Sequence, residues 1–109
     1  MDSKRKDIID ILKEKSPLAE QLADYEILEL ATILPLQSYD ENTVIVKEGE
    51  PATSMMFIIS GEVNIHHNKH LVAKLIPGNI FGEAMFSDQG IRVADVVAVE
   101  PTEVLVFDL

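Results

Sequence analysis

The chain has 109 residues, enough for one domain with one hydrophobic core. Its 19 acidic residues outweigh its 9 basic ones to give a formal net charge of −10, so it repels phosphate backbones and we expect no direct nucleic acid contact. It contains no Cys, which excludes disulfides and thiolate metal sites, and no apolar run near the roughly 20 residues that span a bilayer. We therefore expect a cytoplasmic domain without a membrane segment.

The first third of the chain predicts helices. Apolar residues recur at helical spacing over residues 8–12. Ser16 and Pro17 then have the residue types that begin a helix, a capping hydroxyl followed by Pro at the first helical position. An apolar stripe continues this second predicted helix over residues 18–34. Pro35 ends it, because the ring removes a backbone donor and biases the preceding residue away from helix.

From residue 36 onwards, short runs rich in Val, Ile and Phe recur about every ten residues between turn residues. The predicted strands are residues 43–47, 55–60, 62–67, 70–76, 93–99 and 104–109. Regularly spaced strands with tight turns favour an antiparallel sandwich or barrel over a parallel sheet. Because no linker or repeat divides the chain, we interpret residues 1–109 as a single domain, with a helical segment at 1–35 and a β-barrel at 36–109.

Residues 77–98 interrupt the strand pattern. Glycines lead into about one turn of predicted helix at residues 83–86, which leaves backbone N–H groups available to an anion. Arg92 has the side chain best matched to a phosphate, and the Glu83 carboxylate suits a sugar hydroxyl. On these residues alone a second interpretation stays open, in which Arg92 forms a surface ion pair and Glu83 belongs to an ordinary turn.

Five motifs, taken in order, carry a family resemblance. They are Val46-Lys47-Glu48-Gly49-Glu50, Phe57-Ile58-Ile59-Ser60-Gly61-Glu62-Val63, Leu75-Ile76-Pro77-Gly78, Phe81-Gly82-Glu83 and Arg92-Val93-Ala94. Over residues 16–109 the chain resembles the cyclic nucleotide-binding domain shared by catabolite activator proteins, protein kinase A regulatory subunits and cyclic nucleotide-gated channels. The resemblance implies a mainly β fold, an eight-stranded antiparallel β-barrel of the jelly-roll type (a double-stranded β-helix), with N-terminal helices and a short helix in a phosphate-binding cassette at residues 77–98.

The same resemblance implies a non-catalytic regulatory domain that binds a cyclic nucleotide. Arg92 would bind the cyclic phosphate and Glu83 the ribose 2′-hydroxyl, while Ile65 and Leu75 would face the base. The expected ligand-binding residues are Gly82, Glu83, Ala84, Met85, Arg92, Val93 and Ala94. We expect no catalytic residue, no metal and no cofactor besides the ligand, cAMP or cGMP.

Two residues depart from the family pattern. Met85 stands where a small residue is usual, and overfilling a tight pocket costs ~1–3 kcal/mol. Val93 lacks a hydroxyl that can bond the phosphate or a guanine edge, a loss of roughly 0.5–1.5 kcal/mol that favours cAMP over cGMP. The alternative is a degenerate member that binds no nucleotide and acts as a protein-interaction module. A haem or small-effector sensor is a third interpretation, for which no ligands can be assigned.

Family members continue into a lid helix where this chain stops, at residues 107–109. We therefore interpret the sequence as truncated before that helix, or as a lidless module. The expected partners besides the nucleotide are a second copy of the chain or an effector domain in a longer protein.

Three histidines surround a predicted hairpin turn. Asn68 and Lys69 would form its two-residue loop, with His66, His67 and His70 on the flanking strands. Opposed histidines on a hairpin can bind Zn²⁺ or Ni²⁺. With no carboxylate expected nearby to complete a ligand set, we interpret them as exposed polar residues.

Overall fold

The computed structural model describes residues 3–14, 22–82 and 90–108, where two helices precede eight strands. The helices are α1 (Ser3–Glu14) and α2 (Asp24–Ile33). The strands are β1 (Leu36–Tyr39), β2 (Val44–Val46), β3 (Ser54–Ser60), β4 (Val63–His67), β5 (His70–Leu75), β6 (Ile80–Phe81), β7 (Asp95–Ala98) and β8 (Thr102–Asp108). Neither described helix is long and apolar enough to cross a membrane.

The strands form two antiparallel four-stranded sheets, which confirms the predicted mainly β, jelly-roll architecture. The first sheet has the order β1-β8-β3-β6 and the second β2-β7-β4-β5. A buried apolar cluster between them takes side chains from both sheets. Its members are Val46, Met56, Ile58, Val63, Phe81, Val96, Val104 and Val106.

The two helices cover the outer face of the first sheet. Ile8 and Leu12, one turn apart on α1, and residues of α2 form a second buried cluster with Phe57, Ile59 and Leu105. Strand β3 is therefore apolar on both faces, since alternate residues enter the two clusters. No described helix packs against strand β4, and its inward Val63 and Ile65 alternate with polar residues.

Helix α2 begins at Asp24, and the two described residues before it, Leu22 and Ala23, are not helical although the prediction included them. Glu26 Oε1 accepts a hydrogen bond of 2.9 Å from the Ala23 backbone N–H, and Ala23 is extended, with ψ at 157°. This bond caps the first helical turn at Ala23. The predicted start at Ser16-Pro17 lies outside the described residues. The end agrees with the prediction to one residue, because Leu34, before Pro35, is extended.

The hairpin turn at residues 68–69 is confirmed. Asn68 and Lys69 have φ of 50° and 68°, the conformation of a type I′ turn. Four features of the strands depart from the prediction by more than one residue. Strands β1 and β6 were not predicted, β7 begins two residues late at Asp95, and β8 begins two residues early at Thr102. The predicted cassette helix at 83–86 lies outside the described residues.

Candidate ligand-binding site

Arg92 lies on a segment bonded to the turn between β2 and β3. Its backbone N–H donates to the Glu50 carbonyl at 2.8 Å, and its own carbonyl accepts from the Gly49 N–H at 2.9 Å. Pro51 and Ile91 form an isolated bridge beside these bonds. The β2–β3 turn therefore fixes the backbone that carries Arg92, before β7 begins.

The Arg92 guanidinium is buried against uncharged oxygens. The residue is 7% exposed, with Nη1 donating to the Gly82 carbonyl at 3.1 Å and Nη2 to Ser54 Oγ at 3.2 Å. Within the described ranges no carboxylate forms an ion pair with it. Burial lowers the pKa of Arg92, and the negative charge of Glu50 opposes this only in part. Because a guanidinium stays charged, the site keeps a positive charge that suits an anion.

Gly82 is required by the close approach of Arg92. Its φ is +93°, and a Cβ there would lie 2.7 Å from Arg92 Nη1 and 2.9 Å from the Ser54 carbonyl oxygen. A side chain at Gly82 would therefore be strained in its backbone and would collide with the arginine.

A cavity of about 90 Å³ lies beside the guanidinium. Its lining residues are Val46, Ile65, Phe81, Gly82, Arg92, Val93, Ala94 and Val96. Arg92 is the one charged residue among them, and the rest are apolar or glycine. This composition suits a ligand that combines an anionic group with an apolar or aromatic body.

Four of the seven predicted site residues are brought together at this cavity. Gly82, Arg92, Val93 and Ala94 all line it, whereas residues 83–85 of the prediction (Glu83, Ala84 and Met85) lie outside the described residues. Ile65 also lines the cavity. The second residue predicted to face the base, Leu75, instead pairs with Val63 and packs against the cluster between the sheets.

Ser54 was not predicted as a site residue. It is buried at the start of β3 and accepts the hydrogen bond from Arg92 Nη2. The two residues are 38 positions apart, and a single Ser between a turn and a strand carries no local signal of such a contact. The hydrogen bonds between the β2–β3 turn and the segment before β7 bring them together.

The hairpin histidines differ from the prediction in one respect. His67 and His70 are exposed, but a carboxylate does lie nearby, since His67 Nδ1 is 2.9 Å from Glu48 Oε1. The expectation of no carboxylate near this turn was therefore wrong. Among the described residues no group of three or more His, Cys, Asp or Glu could hold a metal ion.

The sequence and fold both match known proteins. The sequence model of one protein family, the cyclic nucleotide-binding domain, matches residues 36–109. The chain belongs to this family. The domain is 33% identical over 104 residues to a cAMP-dependent protein kinase regulatory subunit of Colletotrichum orbiculare, covering 94% of this chain and 26% of that protein. It is 32% identical over 95 residues to the Cyclic AMP receptor protein of Thermus thermophilus, covering 83% and 44%. The domain thus spans less than half the length of either relative.

Solved structures share the fold closely. A cAMP-bound chain described as PfPKA-R superposes with a TM-score of 0.84 at 27% identity, over 96% of this domain and 37% of that chain. The regulatory subunit of a cAMP-independent protein kinase A from Trypanosoma brucei gives a TM-score of 0.82 at 26% identity, over 96% and 39%. A triple variant of that subunit, bound to cAMP, gives the same TM-score and identity, over 96% and 40%.

Proposed function

We propose that this domain is a regulatory ligand sensor that binds a cyclic nucleotide, with cAMP favoured over cGMP. The observation that carries the proposal is the buried Arg92 guanidinium, which faces a cavity and donates to two uncharged oxygens. In a chain with a net charge of −10, an anion needs such a local positive group to bind at all.

In this proposal, different lining residues bind different parts of the nucleotide. A guanidinium has five N–H donors, so Arg92 keeps donors for two phosphate oxygens beyond those that bind Gly82 and Ser54. Val46, Ile65 and Val96 supply an apolar wall for the sugar and base. In this proposal Glu83 accepts from the ribose 2′-hydroxyl, while the backbone at residues 84–85 completes the phosphate site.

The preference for cAMP follows from Val93, which lines the cavity but offers no hydroxyl to a guanine edge. We further propose a non-catalytic role, in which the bound nucleotide acts on an effector domain or on a second copy of the chain. The absence of Cys fits the reducing conditions of the cytoplasm.

Isothermal titration calorimetry with cAMP tests the proposal. Wild type should bind with a stoichiometry of one, and Arg92→Ala should lose binding, because the buried charge that pairs with the phosphate is gone. Lys74→Ala is the matched control, since it removes the same charge from an exposed position on β5 and should bind as wild type does. Ligand-free thermal unfolding of each variant checks that it folds. No heat from folded wild type with millimolar cAMP would overturn the proposal.

A second candidate is a member that keeps the fold but binds no nucleotide and engages a protein partner. Two observations favour it: the cavity of about 90 Å³ is well below the ~300 Å³ at which ligand pockets usually start, and a close structural relative is described as cAMP-independent. If this candidate is correct, no cyclic nucleotide should raise the midpoint temperature of thermal unfolding. If Met85→Ala then restored binding, the methionine side chain would be the block.

A further inference from the structure

His67 joins the hairpin to the segment that carries Arg92. Its Nδ1 lies 2.9 Å from Glu48 Oε1 and 2.9 Å from the Val93 carbonyl oxygen. These partners are 19 and 26 residues away in sequence, on two separate segments. Both oxygens only accept, so Nδ1 carries the proton and donates to both. We call this arrangement of His67 Nδ1, Glu48 Oε1 and the Val93 carbonyl the His67 clasp.

We propose that His67 is a positioning residue for Arg92: the His67 clasp fixes the segment that presents the guanidinium to the cavity, and it is strongest when the imidazole is protonated. The part that concerns nucleotide affinity rests on the proposed function. The part that concerns the segment itself does not.

The contacts of Val93 connect the clasp to the site. Val93 follows Arg92 directly and lines the cavity, although its residue as a whole is 68% exposed. It precedes β7, so the strand ladder does not hold it. The backbone N–H of Glu48 donates to Asp95 Oδ1 at 2.7 Å, so the residue bonded to His67 is also bonded to the start of β7. The clasp therefore closes a ring of contacts around residues 92–95.

Eight titratable or charged residues lie on the three elements that meet at the clasp. They are Lys47, Glu48 and Glu50 on the β2–β3 turn, His66, Lys69 and His70 on the hairpin, and Arg92 and Asp95 at the start of β7. Of these, Glu48 contacts the imidazole directly, while Asp95 is engaged by the Glu48 N–H and Arg92 points into the cavity. The facing charge is therefore the Glu48 carboxylate, which favours an imidazolium.

The clasp should respond to pH in one direction. The hydrogen bond to the Val93 carbonyl, followed by the hydrogen bond and charge attraction of Glu48, raises the pKa of His67 above its ordinary 6.5. A group with a raised folded-state pKa contributes its full stabilisation below the unfolded value and loses it as pH rises through the folded value. The clasp is therefore strongest in mild acid. In alkaline solution the neutral Nδ1–H still donates, without charge assistance.

Hydrogen exchange of the ligand-free domain tests the clasp. The reporters are the Gly49 and Arg92 amides, whose bonds join the two segments that the clasp ties together. His67→Ala should lower their protection factors about two- to ten-fold, the worth of one hydrogen bond. His67→Asn keeps a donor at the same branch position but cannot titrate. His70→Ala removes the cross-strand neighbour outside the clasp and is the matched control.

The pH profile separates positioning from simple structural support. In wild type the protection factors, corrected for intrinsic exchange, should fall from about pH 5.5 to 8.5, whereas those of His67→Asn should stay level. The size of the fall should equal ten raised to the difference between the pKa of His67 in the folded domain and in the unfolded chain, both read by NMR, because the two quantities are linked. Equal protection in His67→Ala and His70→Ala, or a level wild-type profile, would overturn the proposal.

Calorimetry with cAMP at about pH 5.5 and pH 8.5 tests whether the clasp affects ligand binding. Because the apparent affinity scales with the fraction of molecules whose clasp is closed, wild type should bind more weakly at the higher pH by the ratio of the closed fractions that the protection factors give. His67→Asn should show one affinity at both. If wild type binds no cAMP at either pH, the proposed function fails, and the exchange measurements still decide whether the clasp fixes residues 92–95. If the closed fraction changes between the two pH values and the wild-type affinity does not follow it, the clasp does not position Arg92 for the ligand.

Discussion

Replacing Gly82 by alanine would place a methyl group 2.7 Å from Arg92 Nη1 and 2.9 Å from the Ser54 carbonyl oxygen, at a φ of +93°. A non-glycine residue at this φ costs about 1–3 kcal/mol. Overpacking adds about 1–3 kcal/mol, because the guanidinium can swing away but the Ser54 backbone is fixed in β3. We therefore expect the free energy of unfolding to fall by about 2–6 kcal/mol and Arg92 to leave its place beside the cavity.

Gly49→Ala is the matched control. Gly49 has a φ of +90°, nearly that of Gly82, but nothing lies within 4 Å of an added Cβ. The free energy of unfolding of Gly49→Ala should fall only by the cost of the backbone conformation, about 1–3 kcal/mol. Urea denaturation gives the free energy of unfolding of both variants, and the difference between their losses is the cost of crowding at Gly82. This comparison requires that the dependence of the free energy on urea concentration is the same in both variants. Equal losses from the two substitutions would refute the close packing of Gly82, Arg92 and Ser54.

Two further substitutions, each with a control, test the contact at Ser54 and the packing of the core. Ser54→Ala leaves Arg92 Nη2 without its acceptor and should lower the free energy of unfolding by about 1.5–3 kcal/mol; Ser54→Thr keeps the hydroxyl, and an equal loss from it would show that the hydrogen bond is not responsible. Phe57→Ala should cost about 3–5 kcal/mol, because the ring is fully buried between β3 and the helices. Leu71→Ala is the control, because this side chain on β5 is exposed. It should change the free energy of unfolding by no more than about 0.5 kcal/mol, and a larger loss would contradict its exposure.

The strands of the second sheet could be predicted because their outer face meets solvent. Val63 and Ile65 alternate with Asn64 and His66, a period of two that needs no tertiary information. Strands β1 and β6 were not predicted because they are short, with four and two residues. Strand β6 has only two residues and exists through its pairing with Met56 and Phe57, so its sequence carries too little pattern of its own.

The candidate site was likewise predicted only in part. Arg92 could be predicted from its side-chain chemistry and its motif, and Gly82 from its place in the cassette. The Ser54 hydroxyl, which binds Arg92, and the Glu48 carboxylate, which binds His67, could not, because these contacts join segments 38 and 19 residues apart in sequence. The non-helical residues before Asp24 were missed because the Glu26 side chain caps Ala23, and Ala is not a residue type that usually precedes a helix.

A crystal structure with cAMP gives the most direct measurement of the central claim, the distance from the Arg92 guanidinium to the cyclic phosphate. We predict two nitrogen–oxygen distances of about 2.7–2.9 Å, as in charge-assisted bidentate pairs, with the bonds to Gly82 and Ser54 retained. A nucleotide bound elsewhere on the domain, or an Arg92 that stays turned to Gly82 and Ser54 without contacting the phosphate, would contradict the account.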